Sequence, residues 1–524
     1  MTNLIDRLRT NLQIAGITVS DADLAGIEAK GFLSRVPDVA RILDAAPNSA
    51  IPDYLDAASL PPPDAPFADP SNAAPEPKPG AADTILGVAA QLRAGERSPV
   101  ELTAAALERI HAHDGELNAF QLVLTEAALA EARQAAAEIA SGAYRGPLHG
   151  VPVAVKDLLD VAGTPTRAGS SFYGNGVPAS ADATAVARLR AAGAIIIGKT
   201  RLSEFAYSPG SNNAHFGATG NPHNPARDTG GSSSGSAAAT AAGMAYAALG
   251  TDTGCSIRIP AAFCGLVGLK PTWGRTSLAG GVTLSWSLDH LGPLARSVAD
   301  AALLLGVLAG PDPADGRTLR PAPAFEPQAI HGAVRGMRVG LLRSDGSGNA
   351  LADAEQLAAV ERGAKALEAA GAVVETVDLP ELDGLRVVGG AILGLEAAAF
   401  HLPWLRTRLH DYGEFMRQRV LAAFAYEPGT FVRAQQARTA LRRQISERFA
   451  AIDVLLTPIH PGPIPERGVP ATNGLAIPFN CLSWPALTMP AGAGADGMPL
   501  SLQIVGRPWE EATVLRAAAA LEGA

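Results

Sequence analysis

Gly230-Gly-Ser-Ser-Ser-Gly-Ser236, an alanine-rich run, and Gly250-Thr-Asp-Thr-Gly-Cys-Ser-Ile-Arg-Ile-Pro-Ala-Ala262 form the stretch on which the reading of this chain turns. Two glycine-framed turns carry hydroxyls at the ends of what reads as one small-residue helix. Glycine permits positive φ and close backbone approach, and the free N–H groups at a helix start favour developing negative charge. Together these features suit acyl transfer.

Outward from that stretch, Val151-Pro-Val-Ala-Val-Lys-Asp157 alternates as a strand, with Val151, Val153 and Val155 on one face and Ala154 and Lys156 on the other. Thr184 to Ala192 reads as a helix stopped by Gly193, and Ala194-Ile-Ile-Ile197 as an apolar strand. The strand, helix, strand order returns in Met337–Leu342, the segment near Ala354–Ala370, and Ala372–Val377. Ser297 to Leu308 is a further apolar helix, charged helices follow over roughly Leu395 to Ala450, and Asp453–Thr457 and Leu500–Val505 read as late strands before a closing helix, Glu510–Leu521. No internal repeat is evident. The order predicts an α/β fold, a mixed central sheet flanked by helices.

The N-terminal part differs. Residues 1–60 carry Leu4, Ile5, Leu8 and Leu12, then Leu24, Ile27, Phe32, Val36, Val39 and Leu43, at helical spacing. So few residues bury little surface alone, which predicts packing against the rest of the chain or a role as a dimerisation element. Residues 61–82 are proline-rich and read as a semi-rigid linker. The catalytic domain is then 83–524, opened by the capping box Ser98-Pro-Val-Glu101 on a helix running to about His111.

Composition narrows the class. The 524 residues are 47% hydrophobic with a net charge of −9, a globular balance that disfavours nucleic-acid binding by the surface as a whole. No apolar run of about 18 residues stands out and Met1-Thr-Asn-Leu-Ile-Asp-Arg has no signal core, so a cytoplasmic protein without a membrane span is expected. Three cysteines argue against a disulfide framework, and His111-x-His113 lacks zinc-site spacing, so neither a metal nor another cofactor is implied.

Gly231-Ser-Ser-Ser-Gly235 matches the nucleophile-elbow pattern, which would make Ser233 a nucleophile. That motif requires a strand directly before it, and Asn221-Pro-His-Asn-Pro-Ala-Arg-Asp-Thr229 has two prolines and little β propensity. The wider constellation reads differently. Lys156 in its strand, Gly230–Ser236, Gly250–Ala262 and Cys264-Gly-Leu-Val-Gly-Leu-Lys-Pro-Thr272 together resemble the amidase signature family. The likeness extends more loosely through Ser287–Arg296 and Gly497–Pro508, covering roughly residues 83–522.

The resemblance implies a Ser-cisSer-Lys triad, with Ser256 as nucleophile, Ser232 as the serine of the cis peptide and relay, and Lys156 as base. It implies an oxyanion hole from the backbone of Thr253, Gly254 and Cys255. It also places Ser203–Gly217 and Phe479–Trp484 around the substrate, with Phe205, Ser208 and Trp484 as contacts. Serine needs a base within hydrogen-bond reach, and burial without a carboxylate partner would lower a lysine's pKa enough to serve. Taken alone, Lys156 beside Asp157 reads as a surface ion pair, Asp252 and Arg258 as structural partners with Arg258 as a lesser candidate for a substrate carboxylate, and Lys270 as structural. Cys255 stands where many family members have glycine. It is the rival nucleophile, although no histidine in the motif could activate it.

The function expected is an amidase that hydrolyses a linear carboxamide C–N bond to carboxylate plus ammonia or amine, through an acyl-enzyme on Ser256. A small amide is the expected partner, with no nucleic acid, no membrane and a homodimeric state. The alternatives are a glutaminase subunit of a tRNA-dependent amidotransferase, to whose accessory subunit the N-terminal helices bear a faint likeness, a carbamate or ester hydrolase, and a noncatalytic binding protein.

Overall fold

Val151, Val153 and Val155 pack into one apolar layer and Ala154 into another, so the strand that carries Lys156 is buried on both faces. The computed structural model describes residues 2–46, 83–345 and 347–522. The proline-rich linker lies outside them.

The strands are β1 (Phe120–Val123), β2 (Pro152–Lys156), β3 (Ile195–Thr200), β4 (Gly220–Asn221), β5 (Asn224–Asp228), β6 (Ala247–Asp252), β7 (Val267–Lys270), β8 (His290–Ala295), β9 (Arg338–Leu341), β10 (Val373–Thr376), β11 (Val454–Thr457), β12 (Ala486–Ala493) and β13 (Pro499–Gly506). Eleven form one sheet in the order β1-β3-β2-β6-β8-β7-β12-β13-β11-β9-β10. β3, β2 and β6 are mutually parallel, as are β11, β9 and β10, and the centre is antiparallel. The sheet is therefore mixed, with the two strand-helix-strand units as its parallel wings. Helices including Ser234–Ala241, Val298–Leu308, Ala354–Ala369 and Glu511–Glu522 cover it.

One expectation changes at the decisive stretch. The alanine-rich run is not a single helix: it is a helix over Ser234–Ala241, then the strand β6. Gly243, with φ 71°, takes the left-handed conformation that ends the helix. Ala247-Ala-Leu-Gly-Thr-Asp252 is then paired on both sides, by β2 and β8, and this pairing overrides alanine's helical preference. A continuous helix would have held the two turns roughly 30 Å apart, at about 1.5 Å per residue. The returning strand instead brings them to one end of the sheet.

Three boundaries also move. β5 does precede the glycine turn, but it pairs only with β4 in a separate two-stranded ribbon and is no central-sheet strand. The capping box of Ser98 and Glu101 forms with Pro99 inside the first turn, and its helix continues to Leu117. The helix expected to begin near Leu395 begins at Glu381 and runs to Thr407. That helix is long and apolar enough to cross a membrane by length and composition, and here it is mostly buried in the core.

The N-terminal helices, Thr2–Ile14, Asp21–Ala29 and Val36–Ala45, pack onto this chain. Leu8, Leu12, Ile27 and Val39 are buried in one cluster with Leu385, Val388 and Ile392 of the long helix. Asp23 completes a capping box with Ser20 and accepts from Arg417 at 2.8 Å, and Lys30 pairs with Glu414 at 2.7 Å.

Candidate active site

Lys156 ends β2, pointing to the face occupied by the small residues of Ser234–Ala241, where only hydroxyls meet its amine. Nζ lies 2.7 Å from Ser232 Oγ, 2.9 Å from Ser233 Oγ and 2.8 Å from Thr251 Oγ1. Its chain neighbour Asp157 turns instead to Lys199, at 2.7 Å, so the Lys156–Asp157 ion pair does not form. Complete burial lowers the Lys156 pKa to about 7, against the opposing pull of the more distant Asp252 and Asp289. A charged lysine has three N–H groups for three hydroxyls, whereas the neutral amine has two and a lone pair. In the neutral form one hydroxyl donates to nitrogen, which is the arrangement a proton relay needs.

The Gly231–Ser232 peptide is cis. Gly231 N–H donates to Pro209 O at 2.8 Å, and a methyl on Gly231 would fall 2.1 Å from Gly210 O, so only glycine fits. Asp228 holds the approach to this turn, accepting from Gly230 N–H at 2.6 Å and from the Ser211 hydroxyl at 2.7 Å.

The second turn is fixed from below. Asp252, at the end of β6, accepts from Arg258 Nε at 3.0 Å and Nη2 at 2.9 Å, and from Asn480 Nδ2 at 2.8 Å. Burial pushes the Asp252 carboxyl up, but Arg258 and Asn480 more than reverse this and hold it well below the usual range. All five Arg258 N–H groups are used, on Asp252, Asn480, Gln503 and Ala476 O, and the residue is fully buried. It is structural and has no donor left for a substrate carboxylate.

Above that pair, Thr253 Oγ1 donates to Asp289 at 2.6 Å, and Asp289 also accepts from Leu284 and Ser285 N–H. Burial raises the Asp289 carboxyl to about 6. Among the described residues, no protein acceptor takes the N–H groups of Thr253, Gly254 or Cys255. Free, oriented N–H groups beside a serine are what an oxyanion requires.

Ser256 is 5% exposed, and its carbonyl accepts from Ser233 N–H at 3.2 Å. Its hydroxyl interacts with the Cys255 thiol; among the described residues it makes no hydrogen bond to Ser232. Hydrogen bonds between catalytic groups commonly tighten only when substrate is bound. Cys255 has no positive φ, so a side chain is accommodated there without strain. Its Sγ lies 3.7 Å from Gly231 O, and burial pushes the thiol up to about 12, the reverse of an activated nucleophile.

A cavity of about 340 Å³ adjoins the two turns, with Pro209, Asn473 and Ile477 in its wall. A methyl on Gly254 would lie 3.6 Å from both Asn473 Nδ2 and Ile477 Cδ1, which places the cavity one side chain from the Thr253–Cys255 loop. The three expected substrate contacts are not in its lining. Phe205 is buried among Phe172, Tyr173, His401 and Tyr412. Trp484 is fully buried, edge-on to Phe449, and its carbonyl accepts from Lys270, which makes Lys270 structural as expected. Ser208 is buried, bonded to Gly210 N–H, between two residues that do line the cavity, Tyr207 and Pro209. Apolar character identified these aromatics as pocket candidates; the same character buries them in the core.

Ser233 as a partner of the lysine, Thr251, Asp228 and Asp289 all escaped the sequence reading. Thr251 was the nearest to legible, since it lies in the decisive stretch near the end of β6, beside the strand that ends in Lys156. Asp228 and Asp289 act across loops, where spacing carries no signal.

The amidase family model matches residues 101–515. The chain is 42% identical over 459 residues, 81% of this chain and 92% of the relative, to the A subunit of the glutamyl-tRNA(Gln) amidotransferase of Anaeromyxobacter sp. (strain K). Among solved structures it is similar to the native peptide amidase from Stenotrophomonas maltophilia, at 33% identity, TM-score 0.73, over 85% of this chain and 98% of that one. It is also similar to a chain of a vestigial protein complex that bears on the origins of an s-triazine catabolic enzyme, at 35% identity, TM-score 0.79, over 84% and 98%. These comparisons overturn the expectation of a small amide as the partner and no nucleic acid, because the first relative is by name one subunit of an enzyme for glutamyl-tRNA(Gln). The expectation of no nucleic acid rested on bulk charge, which does not report on a local surface. By the matched model and these relatives, the chain belongs to the amidase signature family, as a hydrolase with a mixed central sheet flanked by helices.

Proposed function

We propose that this chain releases ammonia from a glutamine-type carboxamide, as the glutaminase subunit of a tRNA-dependent amidotransferase. The reading is carried by the 42% identity over 92% of a relative so named. The geometry supplies the chemistry. Neutral Lys156 takes a proton from Ser232 as Ser232 takes one from Ser256, and Ser256 Oγ attacks the carboxamide carbon. The oxyanion lies against the N–H groups of Thr253, Gly254 and Cys255. The proton returns by the same route to the leaving nitrogen, ammonia departs, and water entering by the reverse steps frees Ser256.

A second reading is a self-contained amidase. It is favoured by the N-terminal helices packed on the chain and by the likeness to the peptide amidase. The two are separated by measuring ammonia release from L-glutamine and from a panel of simple amides, esters and carbamates. The purified chain is assayed alone and then with glutamylated tRNA and a candidate partner subunit, with Ser256→Ala as control. Turnover that depends on partner and tRNA is expected; full activity without them establishes the second reading instead.

A further inference from the structure

Part of the wall of the cavity beside the Thr253–Cys255 loop comes from outside the matched family region. Tyr207, Pro209 and Ile477 line it from the catalytic body, whereas Gly31, Phe32 and Ser34 line it from the turn between the helices Asp21–Ala29 and Val36–Ala45. The family match begins at residue 101, so this turn is an addition to the shared fold. Its shape follows from Gly31, whose φ of 66° is left-handed and ends the first helix: Gly31 N–H donates to Glu28 O at 2.9 Å and Phe32 N–H to Ile27 O at 3.2 Å. Phe32, the residue after this reversal, is half-buried. Its ring meets that of Phe415 edge-on at 5.5 Å, and Phe415, from the helix Glu414–Leu421, lines the cavity as well.

The turn is held on both flanks. Before Phe32, Lys30 pairs with Glu414 at 2.7 Å and also donates to Gln418; after it, Leu33 and Val36 are buried in the core cluster. An aromatic fixed in this way yields little to an incoming ligand, because close-packed walls resist the insertion of even a few methylenes. The cavity, at about 340 Å³, is also near the small end of the range for ligand pockets, about 300–1,000 Å³. We propose that Phe32 is a specificity-determining residue: with Phe415 it forms an aromatic stop that limits the length of the acyl chain, so that short-chain carboxamides are accepted and long-chain ones are turned away. The proposal rests on the amide-hydrolase reading and deepens it, by giving the N-terminal helices a part in choosing the substrate.

The test uses the full chain and the n-alkanesulfonyl fluorides from methyl to octyl, which sulfonylate an activated serine hydroxyl with loss of hydrogen fluoride and so measure access to Ser256 without turnover. Mass spectrometry gives the labelling rate for each, and dividing by the methyl rate cancels any change in the reactivity of Ser256 itself. In the wild type the rate is expected to fall beyond a certain length. Phe32→Ala should move that fall to longer chains, raising the relative rate of the first excluded reagent by roughly 10- to 100-fold, and Phe32→Trp should move it to shorter ones. Arg9→Met, at an exposed pair with Asp21 in the same helices, is the control and should leave the profile as in the wild type. Labelling by the methyl reagent reports that a variant has folded, and Phe32→Leu takes the place of Phe32→Ala if the latter is not labelled. A rate independent of length in the wild type, a fall at the same length in the labelled Phe32 variants, or no labelling of Ser256 in the wild type overturns the proposal. Ammonia release from n-alkanoic amides, assayed with partner and tRNA where turnover needs them, should show the same fall in kcat/KM. A Phe32-dependent labelling profile with no ammonia release from any amide overturns the hydrolase reading and leaves the length limit standing.

Discussion

Lys156 Nζ and Ser232 Oγ are 2.7 Å apart in a chamber where the lysine has hydroxyl partners but no carboxylate. The surroundings hold the amine's pKa low, because the largest influence on it is the loss of water and nothing close by stabilises its charge.

Activity should therefore follow the deprotonation of Lys156, whose pKa is lowered to about 7. The pH profile of kcat/KM on an amide is expected to rise through that value and level off above it; a flat profile between about pH 6 and 8 would count against the assignment. Because the folded value is below the unfolded one, the unfolded chain binds the extra proton between about pH 7 and 10.5, so the cost of burying Lys156 is relieved as pH rises through that window. Lys156→Ala should reduce turnover by about 1,000-fold or more.

Cys255 should be dispensable as a nucleophile. Cys255→Ala is expected to keep turnover within about 10-fold of wild type, while Ser256→Ala abolishes it. With the thiol buried and pushed up to about 12, iodoacetamide near pH 8 should neither label Cys255 quickly nor inactivate the enzyme. Mass spectrometry of the labelled chain reads this directly.

Arg258→Met should destabilise the fold by about 3–5 kcal/mol in denaturant titration, since it leaves the Asp252 carboxylate buried without its partner. In the wild type the folded Asp252 pKa is depressed, so its contribution is present above the ordinary carboxyl range and lost as pH falls below it. Stability should accordingly decline in acid, and the decline should be shallower in the variant.

Asp289 holds the Thr253–Cys255 loop through the Thr253 hydroxyl. Asp289→Ala, which removes the acceptor of the Thr253 hydroxyl and of the Leu284 and Ser285 N–H groups, should lower kcat by roughly 10- to 100-fold with little change in KM. A change confined to KM would show that the loop geometry survives.

Much of the fold was legible because its signals are local. The two strand-helix-strand wings show as apolar runs stopped by Gly193 and Gly371, and the Ser98–Glu101 box marks a helix start within a few residues. β6 was not legible, since its start, Ala247-Ala-Leu249, continues the alanine-rich run of the preceding helix and becomes strand only by pairing with β2 and β8. Phe205 and Trp484 misled for a related reason: an aromatic in a loop looks the same in sequence whether it faces a cavity or the core.

The sequence by itself determined which residues could do the chemistry. A lysine in a buried strand, serines in glycine-framed turns and the signature around Ser256 are contiguous patterns that need no third dimension to recognise. Only the tertiary structure decided how they meet. Residue separation carries no information about distance once β6 returns along the sheet, and the lysine's basicity depends on which groups surround it, not on which residues precede it. That is why Asp157, adjacent in sequence, turns away to Lys199, while Ser232, Ser233 and Thr251, more than 75 positions away, meet the amine.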